Sequence, residues 1–382
     1  MDTAWRLDGL REYMEREGIG ASLVVHPDNQ FYLSGFRALI YSRPILYLVD
    51  AEKTYIVVPG LEEVHARHEN AADDVLVYYE HPERANDATT PLEHLDDVFT
   101  RHAGNGETDM KVGVELAACS AAFVNYIGDL GLQPVDIGDR LKTMRYVKDA
   151  AEIHAMEEAG RLVNLAVSES LAACRPETTE LEMDSKGTAA LFEATARNHP
   201  GATLDLLVMS PSGAERTVMP HVFSNTRTLA EGDVLIHSRQ VALNGYRAEL
   251  ERTVVLGQPT DDQRRAFEAA RESQQVALDF IKPGVTAREV DDVSREVIRR
   301  AGFAEYSIHR VGHGLGLSTH EEPYLRFDND LVLEEGMAYS IEPGLYVPGL
   351  GGFRHSDTVV LTSDGSRLIT EYPRDLESLT IS

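Results

Sequence analysis

The chain has 382 residues, of which 43% are apolar, enough for two domains and a sizeable buried core. Acids outnumber bases 63 to 36, a formal net charge of −27, which argues against nucleic acid and anionic membrane surfaces as partners. No run of about 18 apolar residues is present, and the acid-bearing N-terminus reads as a first helix rather than a signal peptide, so a cytoplasmic location is expected.

The acids are scattered rather than gathered in a tail, and arginine outnumbers lysine. That pattern suits a halophile-like surface, where concentrated salt screens self-repulsion. Cys119 and Cys174 are far apart and lack metal-type spacing, so both are expected to be reduced core residues.

Residues 1–143 alternate helix-like stretches (7–17, 61–70) with strand-like ones (22–25, 45–49, 55–58, 75–79, 111–114), which predicts an α/β domain with a largely buried sheet. Tyr41 and Arg43 fall in a loop just before one of these strands. Residues 144–382 open with a helix for which Asp149 is the N-cap, and Ile153, Met156, Leu162 and Ala166 recur at helical spacing. Further helices are predicted over 180–197, 260–281 and 287–301, the last closed by Gly302. Strands are predicted over 203–209, 233–238, 246–256, 306–310, 338–346 and 353–361. Helix pairs alternating with hairpins predict two similar halves around a curved antiparallel sheet, an α+β arrangement.

The stretch 231–257 carries the densest chemical signal. Val234-Leu235-Ile236 and Thr253-Val254-Val255-Leu256 read as two strands joined by a turn at Asn244-Gly245. Glu249 and Glu251 sit two apart on the second strand and so point to one face. Two such carboxylates call for a metal, a cationic substrate or an arginine between them, unless they form a solvated acidic face. His221 precedes this hairpin. Later come His309, His313 and His320 among glycines, Glu342 at the end of an apolar strand, and Arg354 and Asp357 in a late strand.

In this order the motifs GHGLGLSTHEEP, IEPGLY and GGFRHSD resemble the pita-bread family of creatinase, prolidase, aminopeptidase P and methionine aminopeptidase, along essentially the whole chain. The resemblance implies a pita-bread catalytic domain behind a creatinase/prolidase-type N-terminal domain, a small-molecule substrate and a homodimer. The family's metallopeptidases hold two ions with Asp, Asp, His, Glu and Glu. Those positions fall here on Ser238, Glu249, His313, Glu342 and Ser356. A serine hydroxyl is a poor ligand for a hard divalent cation, so a bridged pair of ions is not expected, and at most a single weakly held ion on Glu249, His313 and Glu342.

The peptidases carry a threonine where this chain has Glu251, whereas metal-free creatinase has a glutamate inside a similar Leu-Glu-Arg-Thr run. By that resemblance His221 is the general acid/base, Glu251 and Glu342 hold the substrate, and Tyr41 and Arg43 reach a substrate carboxylate in the other subunit. His313 and His320 then orient water or substrate. The expectation is therefore a metal-independent, creatinase-like hydrolase of a C–N bond in a small cationic or zwitterionic metabolite, with no cofactor. The alternatives are an Xaa-Pro dipeptidase or aminopeptidase P-like peptidase with one residual ion, and a non-catalytic binding protein on the same fold.

Overall fold

The computed structural model describes residues 3–37, 39, 42–102 and 110–381. The chain divides into two compact units, Met1–Met144 and Arg145–Ser382.

The first unit is built on a six-stranded sheet ordered β4-β3-β2-β1-β5-β6. Its strands are β1 (Ile19–Val24), β2 (Leu46–Asp50), β3 (Thr54–Pro59), β4 (Asp74–Tyr78), β5 (Lys111–Val114) and β6 (Gln133–Asp136). β2 runs antiparallel to both β1 and β3, while β4, β5 and β6 join in parallel. Leu23, Leu48, Val57, Leu95 and Val112 form one core between sheet and helices. The predicted helix 61–70 is shorter here. Gly60–Glu62 is a 3₁₀ turn, and the α-helix runs Glu63–Glu69.

The second unit pairs helices around an antiparallel sheet. Helices Ala150–Ala172 and Glu180–Asn198 pack together, as do Asp261–Phe280 and Ala287–Arg300. Each of the four begins with a reciprocal capping box, Asp149/Glu152, Thr179/Glu182, Thr260/Gln263 and Thr286/Glu289, which satisfies the orphan N–H groups of the first turn. The main sheet contains β7 (Leu204–Met209), β8 (Val234–Leu243), β9 (Tyr246–Leu256), β10 (Gly312–Gly314), β11 (Glu321–Leu325), β12 (Ala338–Ile341) and, beyond the hairpin β13 (Gly344–Val347) and β14 (Gly351–Arg354), β15 (Ser356–Thr362). Its order is β11-β10-β12-β15-β9-β8-β7. β8 and β9 are the long central hairpin, turned at Asn244 (φ 50°) and Gly245 (φ 92°), as the Asn-Gly pair predicts.

Three breaks shape the site. The predicted strand 338–346 stops at Ile341 and resumes at Gly344, because Pro343 lacks the N–H a ladder needs, and Glu342 stands in the gap. The predicted strand 353–361 is likewise two strands, parted at His355. The predicted strand 306–310 does not form. Ala304–Tyr306 is a 3₁₀ turn, and the strand is the short Gly312-His313-Gly314. Gly312 permits that close approach, since a Cβ there would lie 2.1 Å from the Ser340 carbonyl oxygen.

Candidate active site

Strand register gathers the polar residues. Ser238 of β8 and Ser356 of β15 both lie opposite Glu251 of β9, Gln240 lies opposite Glu249, and His313 of β10 lies opposite Ser340 of β12. The result is a cavity of about 400 Å³ whose wall includes Ser238, Glu249, Glu251, Glu342, His221 and His320. Glu249 and Glu251, adjacent on one strand face in the sequence, do share this cavity rather than a solvated surface.

Glu249 is held on all sides. Its Oε1 accepts from Ser340 Oγ at 2.9 Å and Ser356 Oγ at 2.8 Å, and its Oε2 accepts from the Gln240 side-chain amide. Burial alone pushes its pKa up, but His313 and these hydrogen bonds outweigh that and hold it below the ordinary carboxylate value. His313 donates from Nδ1 to the Gly314 carbonyl at 2.9 Å. Its Nε2 is left facing the carboxylates, 3.5 Å from Glu342 Oε1 and 3.8 Å from Glu249 Oε2. That nitrogen is buried and has no hydrogen-bond partner among the described residues. Glu342 is buried beside both other carboxylates, and desolvation together with Glu249 and Glu251 raises its pKa well above the ordinary value.

Glu251 has a different partner. Arg354 grips it through two hydrogen bonds, Nε to Oε2 at 2.5 Å and NH2 to Oε1 at 2.8 Å. Arg354 NH1 donates to Tyr346 Oη at 3.0 Å, Tyr346 donates to His309 Nε2 at 2.8 Å, and His309 Nδ1 donates to the Arg310 carbonyl at 2.7 Å. The chain of donors runs one way and fixes the guanidinium plane. Burial pushes the pKa of His309 down to about 3, with Arg354 adding to the effect, which keeps it an acceptor toward Tyr346.

Three more groups rim the cavity. His320 stacks on His313 with ring centres 3.9 Å apart, and burial together with His313 pushes its pKa down to about 4. His221 lies 6.3 Å from His320, ring to ring. The residue is exposed, yet partial withdrawal of the ring from water, helped by Arg354 and Arg310, lowers its pKa. Arg310 lays its guanidinium over Tyr324 at 4.2 Å and reaches His320 Nδ1 at 3.3 Å.

Of the residues singled out in the sequence, His221, Ser238, Glu249, Glu251, His313, His320, Glu342 and Ser356 thus come together. Tyr41 lies outside the described residues. Arg43 belongs to the first unit, where its Nε is 2.6 Å from Glu80 Oε2 at the surface. Glu251 is not an open receptor for a cationic substrate, because Arg354 already occupies both of its oxygens. Arg310 escaped the sequence reading. Only its position three residues before His313 hinted at it.

Residues 154–363 match the metallopeptidase family M24, and residues 6–147 match the creatinase/prolidase N-terminal domain. The chain belongs to the M24 metallopeptidase family. Its fold is the two-domain pita-bread fold with a curved antiparallel sheet. This M24 chain is 30% identical over 374 residues to the putative dipeptidase YkvY of Bacillus subtilis, covering 97% of this chain and 99% of that protein. It is 29% identical to the Xaa-Pro dipeptidase of Pyrococcus furiosus, with 97% and 99% covered. Among solved structures, dipeptidase PepE from Mycobacterium ulcerans superposes over 100% of both chains with a TM-score of 0.85 and 30% identity.

These findings correct two expectations. The metal-independent, creatinase-like reading gives way, since these relatives are dipeptidases and the matching family is a metallopeptidase family. The expectation of no cofactor falls with it. The ligand atoms of Glu249, Glu251 and Glu342 lie within 4.8 Å of one another, as do those of His313, His320 and Glu342. An unpartnered imidazole nitrogen facing two buried carboxylates has the chemistry of a site for one divalent cation. The two serines that counted against a metal do not remove this set of donors. The chain is a hydrolase.

Proposed function

We propose that this M24 hydrolase is a dipeptidase-type enzyme that cleaves the amide bond of a small peptide, with Xaa-Pro dipeptides the first substrates to test. One observation carries the reading: the buried, unpartnered His313 Nε2 between Glu342 Oε1 and Glu249 Oε2. In this reading Glu249, His313 and Glu342 hold one divalent ion, which when bound supplies Lewis-acid polarisation of the scissile carbonyl. The relatives' names, Xaa-Pro dipeptidase and dipeptidase, support the substrate class.

The remaining roles belong to the chain's own groups. His221, neutral near pH 7 because its pKa is lowered, accepts a proton at a ring nitrogen from the attacking water. It returns that proton to the leaving amine nitrogen as the C–N bond breaks. Arg310, set above Tyr324 at the rim, receives the substrate's terminal carboxylate. Leu207, Met209 and Phe223 supply the apolar wall of the cavity.

The test is release of the C-terminal residue from Xaa-Pro and non-proline dipeptides by protein saturated with Mn²⁺, Co²⁺ or Zn²⁺, with loss after chelation. An absence of hydrolysis at full metal loading would remove the peptidase assignment.

A further inference from the structure

The carboxylate left over by a single ion already has a cation of its own. Three carboxylates, Glu249, Glu251 and Glu342, share the cavity wall, and each is 8% exposed or less. Buried charges of one sign need compensation nearby. An ion on Glu249, His313 and Glu342 leaves Glu251, and both oxygens of Glu251 are taken by Arg354. The residues facing Glu251 from the two neighbouring strands are Ser238 and Ser356, neither of which carries a charge for a second cation. Ser356 spends its hydroxyl on Glu249.

The guanidinium itself is not free to leave. It is 3% exposed, and Tyr346 and His309 brace it from behind through hydrogen bonds of 3.0 and 2.8 Å. It also approaches Glu342 Oε2 at 4.0 Å. Arg354 therefore stands beside the donors of the first ion as a fixed positive charge, in the position where another cation would need Glu251.

We propose that Arg354, clamped by Glu251, is a built-in cation that takes the place of a second metal ion, so that the site admits one divalent ion per chain. The proposal rests on the single-ion reading above and specifies what limits it. The consequence is a site whose second positive charge is covalently part of the protein and independent of metal supply. Arg354 here is a positioning and charge-balancing residue, acting through Glu251.

The test is ion stoichiometry, read without any activity assay. Full-length protein is stripped with chelator, equilibrated with excess Mn²⁺ and dialysed, and the ion is counted by mass spectrometry and by calorimetric titration. The wild type should hold one Mn²⁺ per chain, Arg354→Lys should still hold one, and Arg354→Met should rise to two. Two ions in the wild type, or one in a folded Arg354→Met, would overturn the proposal while leaving the peptidase reading intact. Should Arg354→Met fail to fold, the double variant Ser238→Asp/Ser356→Glu keeps Arg354 and restores two carboxylates. It should remain at one ion, and two would overturn the proposal. A wild type that holds no ion at all overturns the single-ion reading beneath it.

Discussion

Nε2 of His313 lies 3.5 Å from Glu342 Oε1, and both residues are buried. Glu342 is poised to hold a proton while no cation is present, since burial and two neighbouring carboxylates raise its pKa. Replacing it with glutamine keeps the shape but removes the charge a divalent ion requires. Glu342→Gln and His313→Ala should each weaken Mn²⁺ binding by more than the roughly 10–100-fold lost when an outer-shell partner is removed. Competition with a fluorescent chelator measures this directly. Affinity within threefold of wild type in either variant would place the ion elsewhere.

His221 tests the division of labour. It is not among the residues proposed to hold the ion, and its ring faces His320 across 6.3 Å. His221→Ala should therefore leave Mn²⁺ content unchanged while lowering kcat by about 10²–10⁴, the usual worth of a positioned general acid–base group. Ion content and turnover are read on the same preparation. A variant that keeps its kcat would remove His221 from the proton path.

How far the sequence revealed this site depended on the separation of the interacting residues. The β8–β9 hairpin was legible because Asn244-Gly245 and the apolar runs on either side are local signals. That Glu249 and Glu251 share a face followed from the period of a strand. The partner of Glu251 was not legible, since Arg354 lies 103 positions away and is delivered by a separate hairpin. The strand at Gly312–Gly314 was invisible for another reason. Two glycines have no β-preference, and that strand forms only because its neighbours pack close enough to demand them. At Ser238 and Ser356 the sequence reading sees serines where the resemblance places acidic ligands, a comparison of residue types alone. What it could not show was the donor set that remains, in particular a histidine nitrogen fixed by the Gly314 carbonyl.

Arg310 offers a test of specificity. Its guanidinium stacks on Tyr324 and, among the described residues, its side-chain hydrogen bond is to His320 Nδ1, which leaves donors for a carboxylate. Hydrogen bonds to a charged group contribute about 1.5–3 kcal/mol, or roughly 10–100-fold in affinity. Arg310→Ala should raise KM for dipeptides by about that factor and leave KM for the corresponding dipeptide amides nearly unchanged. Steady-state kinetics on the matched pair decides the matter. An equal loss on both substrates would show that Arg310 serves the fold or His320 rather than the carboxylate.

The last prediction concerns stability and pH. His355 is fully buried at the break between β14 and β15, edge-on to Phe267 at 4.7 Å, and neither ring nitrogen has a hydrogen-bond partner among the described residues. Burial drives its pKa well below 6.5, and Arg252, Arg374 and Arg271 push the same way. His237 is buried too, accepting from Arg239 Nε at 3.3 Å, with its pKa also driven far down. In the unfolded chain both rings titrate near 6.5. Below that pH the unfolded state takes up protons that the folded state refuses. Each ring's contribution to stability is complete above about pH 6.5 and is lost as pH falls toward its folded value, at about 1.4 kcal/mol per pH unit. The raised pKa values of Glu342 and Asp184 act with the opposite sign, so the slope of the wild type alone is not diagnostic. The difference between wild type and His355→Phe is. The variant should gain on the wild type by about 2 kcal/mol between pH 7.5 and pH 5, read as a relative rise in Tm along the pH series. Parallel Tm curves across that range would mean that His355 finds a proton acceptor in the folded protein.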